Sequence, residues 1–304
     1  MPKSFSFIIF GASGDLTKRK LFPALLDLFS EKRLPEKFEI VGIGRTPYSD
    51  LEYRNYQLRQ LPKYIKPEIW NNELVNSFIS HIRYETMDPA KEEEYPALVE
   101  HLKTSNSESV IYYLATPPLL YGVIPQHLKT FGLNGENTRI IVEKPFGYDL
   151  TSAKQLNDIY RDAFQEQQVY RIDHFLGKET AQNILAFRFA NSIFEPIWNR
   201  NYIDYVEITS VENLGIENRG GYYETAGTMR DMVQYHLVQL LALCAMEPPV
   251  KFDADSFRNE IVKVYDSLVP LTEDYIRENV IRGQYTAGGD KVGYRQEAHV
   301  SPDS

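Results

Sequence analysis

A short apolar run that ends in a glycine-rich turn constrains the fold of this chain more than any other feature. Residues 6–10 (SFIIF) are typical of a buried strand, and residues 11–17 (GASGDLT) follow directly. An amphipathic helix pattern continues over residues 21–29, although Pro23 lies inside it and must either cost stability or reset the start of that helix. A strand, a glycine turn and a helix in this order predict the first βα unit of a dinucleotide-binding domain.

Each glycine of the turn has an expected role. Gly11 allows a sharp turn at the end of the strand, and Gly14 lets the backbone approach a pyrophosphate. The start of the helix then offers unpaired N–H groups and a positive dipole end to the anion. The spacing departs from the stricter GxGxxG pattern, so an ordinary glycine-rich turn is the competing interpretation. The position at the first βα junction favours the dinucleotide site.

The rest of the first half alternates strand-like and helix-like segments. Further strands are predicted over residues 39–43, 110–115, 139–142 and 169–172. Helices are predicted over residues 68–79, 89–102 and 152–164. This alternation predicts an α/β, doubly wound, Rossmann-like parallel sheet, which we assign to residues 1–172.

The second half has a different pattern. Helices are predicted over residues 179–189 and 228–246, the latter stopped by Pro248 and Pro249. Strands are predicted over residues 204–211 and 280–285. We therefore expect residues 173–304 to form part of an α+β domain with an antiparallel sheet, incomplete in this chain.

The residue after the second strand bears on the choice of cofactor. Arg45 occupies the position that meets the adenosine ribose, where NAD sites usually carry Asp or Glu. A guanidinium can pair with a 2′-phosphate through two hydrogen bonds, so Arg45 favours NADP over NAD. The alternative is that Arg45 is only a solvated loop cation.

Composition excludes several other classes of function. With 33 Lys+Arg against 42 Asp+Glu the net charge is −9, which argues against nucleic acid as the main partner. The single cysteine, Cys244, fits a reducing compartment. We find neither metal-ligand spacing nor a signal or membrane-spanning segment, and expect a cytoplasmic protein without a metal centre.

Three segments carry ionisable residues in apolar or Gly/Pro surroundings: residues 143–147 (EKPFG), 171–179 (RIDHFLGKE) and 230–236 (RDMVQYH). Oxidation of an alcohol by hydride transfer needs a base for the hydroxyl proton, and a carboxylate can orient a histidine for that role. Asp173 with either His174 or His236 could supply this pair. Lys178 and a histidine could bind a substrate phosphate. The chemistry alone does not choose between the two histidines.

Several motifs together resemble one family. Residues 11–21 (GASGDLTKRKL), 142–147 (VEKPFG) and 170–179 (YRIDHFLGKE) resemble signatures of the glucose-6-phosphate dehydrogenases, as does the segment 230–236. The resemblance runs in order from residue 5 to the end of the chain. It implies oxidation of glucose 6-phosphate at C1 to 6-phosphogluconolactone with NADP, the first step of the oxidative pentose phosphate pathway.

The resemblance also implies roles for individual residues. His236 would be the general base, oriented by Asp173. The cofactor would be held by Gly11, Ser13, Gly14, Asp15, Leu16, Arg45, Asp88, Tyr121 and Lys144. The substrate would be held by Lys144, His174, Lys178, Glu212 and Asp231.

Two departures from the family pattern carry consequences. Phe175 stands where members often have Tyr, which removes a hydroxyl donor near the substrate phosphate, a cost on the order of 1 kcal/mol. Members also continue well past Ser304, so a carboxyl-terminal truncation is expected. Although the family is homo-oligomeric, most of its dimer surface is then expected to be missing. The alternative function is an inactive remnant that binds the dinucleotide without turnover.

Overall fold

The computed structural model describes residues 3–67, 70–173, 175–289 and 291–304. The chain divides into two compact units, Met1–Ile172 and Asp173–Ser304. We call these the first and the second unit. Over the described residues, no helix combines the length and the apolar character needed to span a bilayer.

The first unit is built on one parallel sheet. Its strands are β1 (Ser4–Phe10), β2 (Lys37–Gly44), β3 (Ile82–Thr86), β4 (Ser109–Leu114), β5 (Thr138–Val142) and β6 (Val169–Arg171). They are ordered β3-β2-β1-β4-β5-β6, and every neighbouring pair is parallel. The strand order reverses at β1, which is the topological switch of a doubly wound sheet. The doubly wound, Rossmann-like parallel sheet predicted for this part of the chain is therefore confirmed.

In the described residues, six α-helices connect these strands. They are α1 (Phe22–Ser30), α2 (Asp50–Gln60), α3 (Asn72–Ser80), α4 (Tyr95–Ser105), α5 (Val123–Thr130) and α6 (Leu150–Ala163). Helix α3 begins late because Asn71 caps it by accepting from the amides of Glu73 and Leu74. The predicted start of that helix, residues 68 and 69, lies outside the described residues. The helix predicted from residue 89 begins at Tyr95 instead, because a turn closed by Lys91 N–H on Asp88 O precedes it.

Helices cover both faces of the sheet. One apolar cluster, centred on Ile8, Phe10 and Leu114, fills one face, and a second, centred on Ile9, Phe22 and Phe78, fills the other. Strand β1 supplies residues to both clusters, which accounts for its unbroken apolar sequence. The carboxyl ends of the strands are therefore held at one edge by a core on each side.

A polar cluster of Ser6, Glu39 and His101 lies near the starts of strands β1 and β2. Ser6 is fully buried and its hydroxyl donates to Glu39 at 2.6 Å, while Nε2 of His101 lies 3.2 Å from the same carboxylate. The hydrogen bond to Glu39 raises the pKa of His101. Burial raises the pKa of Glu39, but hydrogen bonds from His101 and Ser6 outweigh it and bring this pKa below its ordinary value.

These shifts predict a bell-shaped dependence of stability on pH. A raised histidine pKa stabilises the fold below about pH 6.5 and loses its contribution as the pH rises through the folded value. A lowered carboxyl pKa stabilises it above about pH 4.5 and loses its contribution as the pH falls through the folded value. The free energies of unfolding of wild type and His101→Gln should therefore differ by roughly 1 kcal/mol between these values. The difference should fade as the pH rises through the raised folded pKa of His101 or falls through the lowered folded pKa of Glu39.

The matched control is His127→Gln. Nδ1 of His127 lies 3.3 Å from the carbonyl of Pro89, so this histidine faces a neutral group and not a carboxylate. Its replacement removes the hydrogen bond of an imidazole without removing an ion pair, and so measures what that loss alone costs. A pH-independent difference for His101→Gln would contradict the assignment of the ion pair.

The second unit is helical in the residues that the structure describes. Its elements are α7 (Glu179–Phe189), α8 (Gly220–Thr228), a π-helical segment (Met229–Leu237), α9 (Val238–Ala245), α10 (Ala254–Asp266) and α11 (Glu273–Asn279). The helix prediction for residues 179–189 is confirmed. The long helix predicted over residues 228–246 is also present, but its first half takes the wider π form.

The two strands predicted for the second unit are wrong. Residues 204–211 and 280–285 are irregular, and the only β-bridge in the described part of this unit joins Gly288 to Lys291. Val206 and Val211 are 48% and 82% exposed. A strand forms only where a neighbour accepts its backbone hydrogen bonds, and alternating apolar residues cannot replace that neighbour.

Candidate active site

The turn after β1 needs glycine at its first position. Gly11 has a φ of +88°, and a Cβ there would lie 2.2 Å from the carbonyl oxygen of Ala115. The amides of Gly11 and Ala12 both donate to the carbonyl of Ile43 at 2.9 Å. The turn is thus pinned at the carboxyl ends of three strands, β1, β2 and β4.

The same turn leads directly into a helix. The Gly14 amide donates to the carbonyl of Gly11 at 2.9 Å, and the Thr17 hydroxyl donates to it at 3.1 Å. A π-helical turn, Thr17–Leu21, then precedes α1, where Pro23 occupies the second position. Helical residues therefore begin ahead of Pro23, so this proline does not set the start of the helix. Ser13 and Leu16 lie half-buried in this turn.

Asp15 opens the helix and pairs with cations of its first turns. Its carboxylate lies 3.0 Å from Nζ of Lys18 and 3.0 Å from Nη1 of Arg19. These hydrogen bonds lower the pKa of Asp15. The pairing offsets a negative charge that would otherwise repel an anion at the helix N-terminus.

Three other predicted cofactor contacts follow the carboxyl ends of β2, β3 and β4. Arg45 is exposed one residue beyond β2, and no ion pair of its guanidinium occurs in the described part of the chain. Asp88 is half-buried, and its Oδ1 accepts from the amide of Ala90 at 3.1 Å. Tyr121 is 2% exposed, and burial, followed by the charge of Glu143, raises its pKa. In an open parallel sheet, ligands bind at this edge.

Lys144 follows β5 at the same edge of the sheet. Its peptide bond to Pro145 is cis. The preceding residue, Glu143, accepts a hydrogen bond of 2.5 Å from the hydroxyl of Tyr113, which anchors the strand end beside it.

In the second unit, a histidine and a carboxylate that are 63 residues apart come together. Nδ1 of His236 lies 3.1 Å from Oδ2 of Asp173. The His236 side chain is 3% exposed and that of Asp173 is 13% exposed. The other carboxylate oxygen of Asp173 accepts from the amide of Phe175 at 2.9 Å, so the carboxylate is held by its own loop. The contact at Nδ1 fixes the orientation of a buried imidazole ring.

Phe175 connects this pair to a cation. Its ring stacks on the His236 ring with centroids 4.5 Å apart and planes 27° apart. Nζ of Lys178 lies 4.3 Å from the centroid of the same phenyl ring. Phe175, which the sequence suggested only as a missing hydroxyl, therefore packs against the predicted base.

The π-helical segment carries two of the predicted residues. Five residues on an α-helix turn by about 140°, whereas the wider π form brings residues five apart closer to one face. Asp231 and His236 have this spacing and are 5% and 3% exposed. The hydroxyl of Tyr222 donates to Asp231 at 3.0 Å, and burial, followed by the Asp231 charge, raises the pKa of Tyr222. Neither the π form nor Tyr222 was suggested by the sequence.

A buried arginine caps the helix that follows His236. Arg188 is 5% exposed and donates to the carbonyls of Leu243 and Met246 at 2.7 and 2.8 Å. Trp198 donates to the neighbouring carbonyl of Cys244 at 2.8 Å. These donors satisfy the last carbonyls of α9 and hold its end in place. Cys244 contributes its backbone carbonyl to this cap.

One predicted substrate contact does not join the cluster. Glu212 is exposed, and no hydrogen bond or ion pair links it to Asp173 or His236 within the described residues. The other, His174, lies outside the described residues.

Both units of the chain match known proteins. Residues 8–183 match the family model "Glucose-6-phosphate dehydrogenase, NAD binding domain", and residues 185–304 match "Glucose-6-phosphate dehydrogenase, C-terminal domain". Glucose-6-phosphate 1-dehydrogenase of Aggregatibacter actinomycetemcomitans is 49% identical over 98% of this chain and 62% of its own length. The enzyme of Treponema pallidum is 46% identical over 98% of this chain and 60% of its own length.

Solved structures give the same result. A glucose-6-phosphate dehydrogenase in complex with its substrate glucose 6-phosphate aligns at a TM-score of 0.86 and 36% identity, over 99% of this chain and 63% of that one. The glucose-6-phosphate 1-dehydrogenase of Mycobacterium avium aligns at a TM-score of 0.85 and 33% identity, with the same coverage of both chains.

The parallel sheet, the glycine turn at its switch point and the additional helical unit define a doubly wound α/β protein with a second domain. Since family models match both parts, the chain belongs to the glucose-6-phosphate dehydrogenase family. It spans about three fifths of the length of the relatives it matches.

Proposed function

We propose that the chain oxidises glucose 6-phosphate at C1 to 6-phosphogluconolactone with NADP, and that His236 is its general base. The observation that carries this proposal is the buried contact of 3.1 Å between Nδ1 of His236 and Oδ2 of Asp173. Family membership supplies the reaction, and this pair supplies the residues that its proton transfer needs.

The contact assigns different roles to the two ring nitrogens. With Nδ1–H donating to Asp173, Nε2 on the opposite side of the ring accepts the proton of the substrate hydroxyl. Asp173 then stabilises the imidazolium that forms, since its carboxylate lies against the charged ring. The Phe175 ring, stacked on His236, limits rotation of the imidazole and keeps Nε2 on one side.

The first unit fits a dinucleotide. The turn at residues 11–17 leaves no room for a Cβ at Gly11, and one at Gly14 would lie 3.0 Å from the Gly11 carbonyl oxygen. The cofactor supplies a hydride acceptor when bound. We assign its contacts to Gly11, Ser13, Gly14, Asp15, Leu16, Arg45, Asp88, Tyr121 and Lys144.

We assign the substrate phosphate to cations and the sugar to carboxylates. Lys178 and His174 would pair with the phosphate, with Lys144 as a further contact. Asp231, already held by the Tyr222 hydroxyl, would accept from a sugar hydroxyl, as would Glu212. Phe175 offers no hydroxyl to the phosphate, but its ring supports the Lys178 ammonium.

Two measurements on the 304-residue chain test the proposal together. Calorimetric titration should show NADP binding, and absorbance of the reduced nicotinamide should rise when glucose 6-phosphate is added. Binding without turnover would favour the alternative, a dinucleotide-binding remnant. That alternative has its own support, since large apolar side chains such as Val211, Phe252 and Ile281 are exposed in the second unit.

The preference for NADP is tested at Arg45. Arg45→Ala should raise the KM for NADP roughly tenfold to a hundredfold, because a charge-assisted hydrogen bond to the 2′-phosphate is lost. The KM for NAD, which has no 2′-phosphate, should change little. Arg33→Ala is the matched control, since Arg33 is another exposed arginine and pairs with Glu31. Equal changes for NADP and NAD would overturn the assignment.

A further inference from the structure

A cluster of four tyrosines packs beside the turn at residues 11–17. It consists of Tyr48, Tyr53, Tyr56 and Tyr84, and we call it the tyrosine cluster. Tyr53 on α2 is fully buried and Tyr84 on β3 is 7% exposed. Their rings lie 4.3 Å apart between centroids, with planes 34° apart.

Each of the two buried tyrosines holds a different loop. The hydroxyl of Tyr53 donates to the carbonyl of Ala12 at 2.7 Å, inside the turn at residues 11–17. The hydroxyl of Tyr84 donates to the carbonyl of Thr46 at 2.9 Å, one residue from Arg45, and also interacts with the side chain of Ser13 in the turn. The two neighbouring rings therefore join the turn to the loop of Arg45.

Strand β2 is shaped around these rings. Gly42 and Gly44 lie on the same face of β2. A Cβ on Gly42 would lie 2.8 Å from Cβ of Ala12 and 3.1 Å from Cε1 of Tyr53. A Cβ on Gly44 would lie 2.6 Å from Oη of Tyr84. These two glycines make room for the tyrosines. Burial raises the pKa of Tyr84 to about 12, so its hydroxyl remains a neutral donor.

We propose that Tyr53 and Tyr84 are positioning residues that fix the pyrophosphate-binding turn at a set distance from the arginine that selects the 2′-phosphate. Tyr53 fixes the turn, and Tyr84 fixes the loop of Arg45. The inference rests on the proposed binding of NADP. It adds a specificity role for Tyr84, because a displaced Arg45 loses its contact with the 2′-phosphate and leaves the rest of the dinucleotide unaffected.

The proposal predicts different results for two single substitutions. In the 304-residue chain, Tyr53→Phe should raise the Kd for both NADP and NAD by roughly threefold to tenfold, since one buried hydrogen bond is lost at the shared turn. Tyr84→Phe should raise the Kd for NADP by a similar factor and that for NAD by a smaller one, since Tyr84 holds the loop of Arg45 and also contacts Ser13 of the shared turn. Calorimetric titration with each dinucleotide measures both constants.

Tyr56→Phe is the matched control. Tyr56 lies in the same cluster with its ring stacked on Tyr48, and no hydrogen bond of its hydroxyl is seen in the described part of the chain. The Tyr56→Phe variant should bind NADP and NAD with the same affinities as wild type. If wild type binds NADP and the Tyr53 and Tyr84 variants bind both dinucleotides as tightly as wild type does, this inference is overturned while the proposed function stands. Failure of wild type to bind NADP would overturn the proposed function and this inference with it.

Amide hydrogen exchange gives a second measurement that needs no cofactor. Tyr53→Phe should accelerate exchange in residues 11–17, and Tyr84→Phe should accelerate it around Arg45 and Thr46, relative to Tyr56→Phe. This readout separates local release of a loop from general destabilisation, which would accelerate exchange throughout the sheet. Uniform acceleration in β1 and β4 would indicate a purely structural role and contradict the proposal.

Discussion

We expect His236→Asn to lower kcat by a factor of about 100 to 10,000 while the KM for glucose 6-phosphate changes little. General-base catalysis by a positioned histidine contributes this much, and an asparagine amide accepts no proton near neutral pH. The side chain is 3% exposed and 3.1 Å from Asp173, so the loss concerns one buried, oriented base. Steady-state kinetics with NADP and glucose 6-phosphate measure the effect.

Two controls separate loss of chemistry from loss of structure. The Kd for NADP should equal that of wild type, because His236 lies in the second unit and the proposed cofactor contacts belong to the first. His127→Asn, a replacement of a histidine that faces the Pro89 carbonyl, should leave kcat unchanged. A His236→Asn variant with wild-type kcat would refute the base assignment.

The sheet could be predicted because its strands are buried on both faces. Strand β1 is buried along nearly its whole length, so its apolar run stands out from the surrounding sequence. Strand β3 was missed because it is an edge strand, in which the exposed Arg83 and the half-buried Glu85 interrupt the apolar pattern. Helix α2 was missed because only Tyr53 and Gln57 are buried on it, too few to show a helical period.

The candidate site could be predicted only in part. Asp173 is adjacent in sequence to His174, so spacing alone could not favour His236, which is 63 residues away. The resemblance to a family implied the second pairing, and the fold of the second unit brings these two side chains together. The π-helical segment and the stacking of Phe175 on His236 depend on backbone geometry and packing, which a residue pattern does not encode.

The tyrosine cluster illustrates a signal that was present in the sequence but ambiguous. Gly42 and Gly44 alternate along β2 and could have been assigned to close approach of a ligand. The structure shows that both glycines lie against side chains of the protein instead, Gly42 against Ala12 and Tyr53 and Gly44 against Tyr84. A glycine near a cofactor site can thus make room for side chains that hold the binding loop, and not for the ligand itself. Only three-dimensional contacts distinguish these two roles.

The second large effect is expected at Gly11. Gly11→Ala should abolish measurable NADP binding and lower the unfolding midpoint by roughly 6 °C or more, which corresponds to about 3 kcal/mol. The new Cβ would lie 2.2 Å from the backbone oxygen of Ala115, and a φ of +88° is unfavourable for alanine. Ala115 directly follows the last β1–β4 ladder pair, Phe10 with Leu114, and its amide donates to the carbonyl of Phe10 at 2.9 Å, so a shift of its carbonyl would disturb the end of the ladder.

Gly132→Ala separates the cost of the clash from the cost of the backbone conformation. Gly132 also has a positive φ, +67°, but a Cβ there would meet nothing within 4 Å. Its replacement should therefore cost only the conformational strain, about 1 kcal/mol or roughly 2–4 °C, and should leave NADP affinity unchanged. If calorimetry and thermal unfolding gave the same losses for both variants, the close approach of Gly11 to Ala115 would not be what the turn requires.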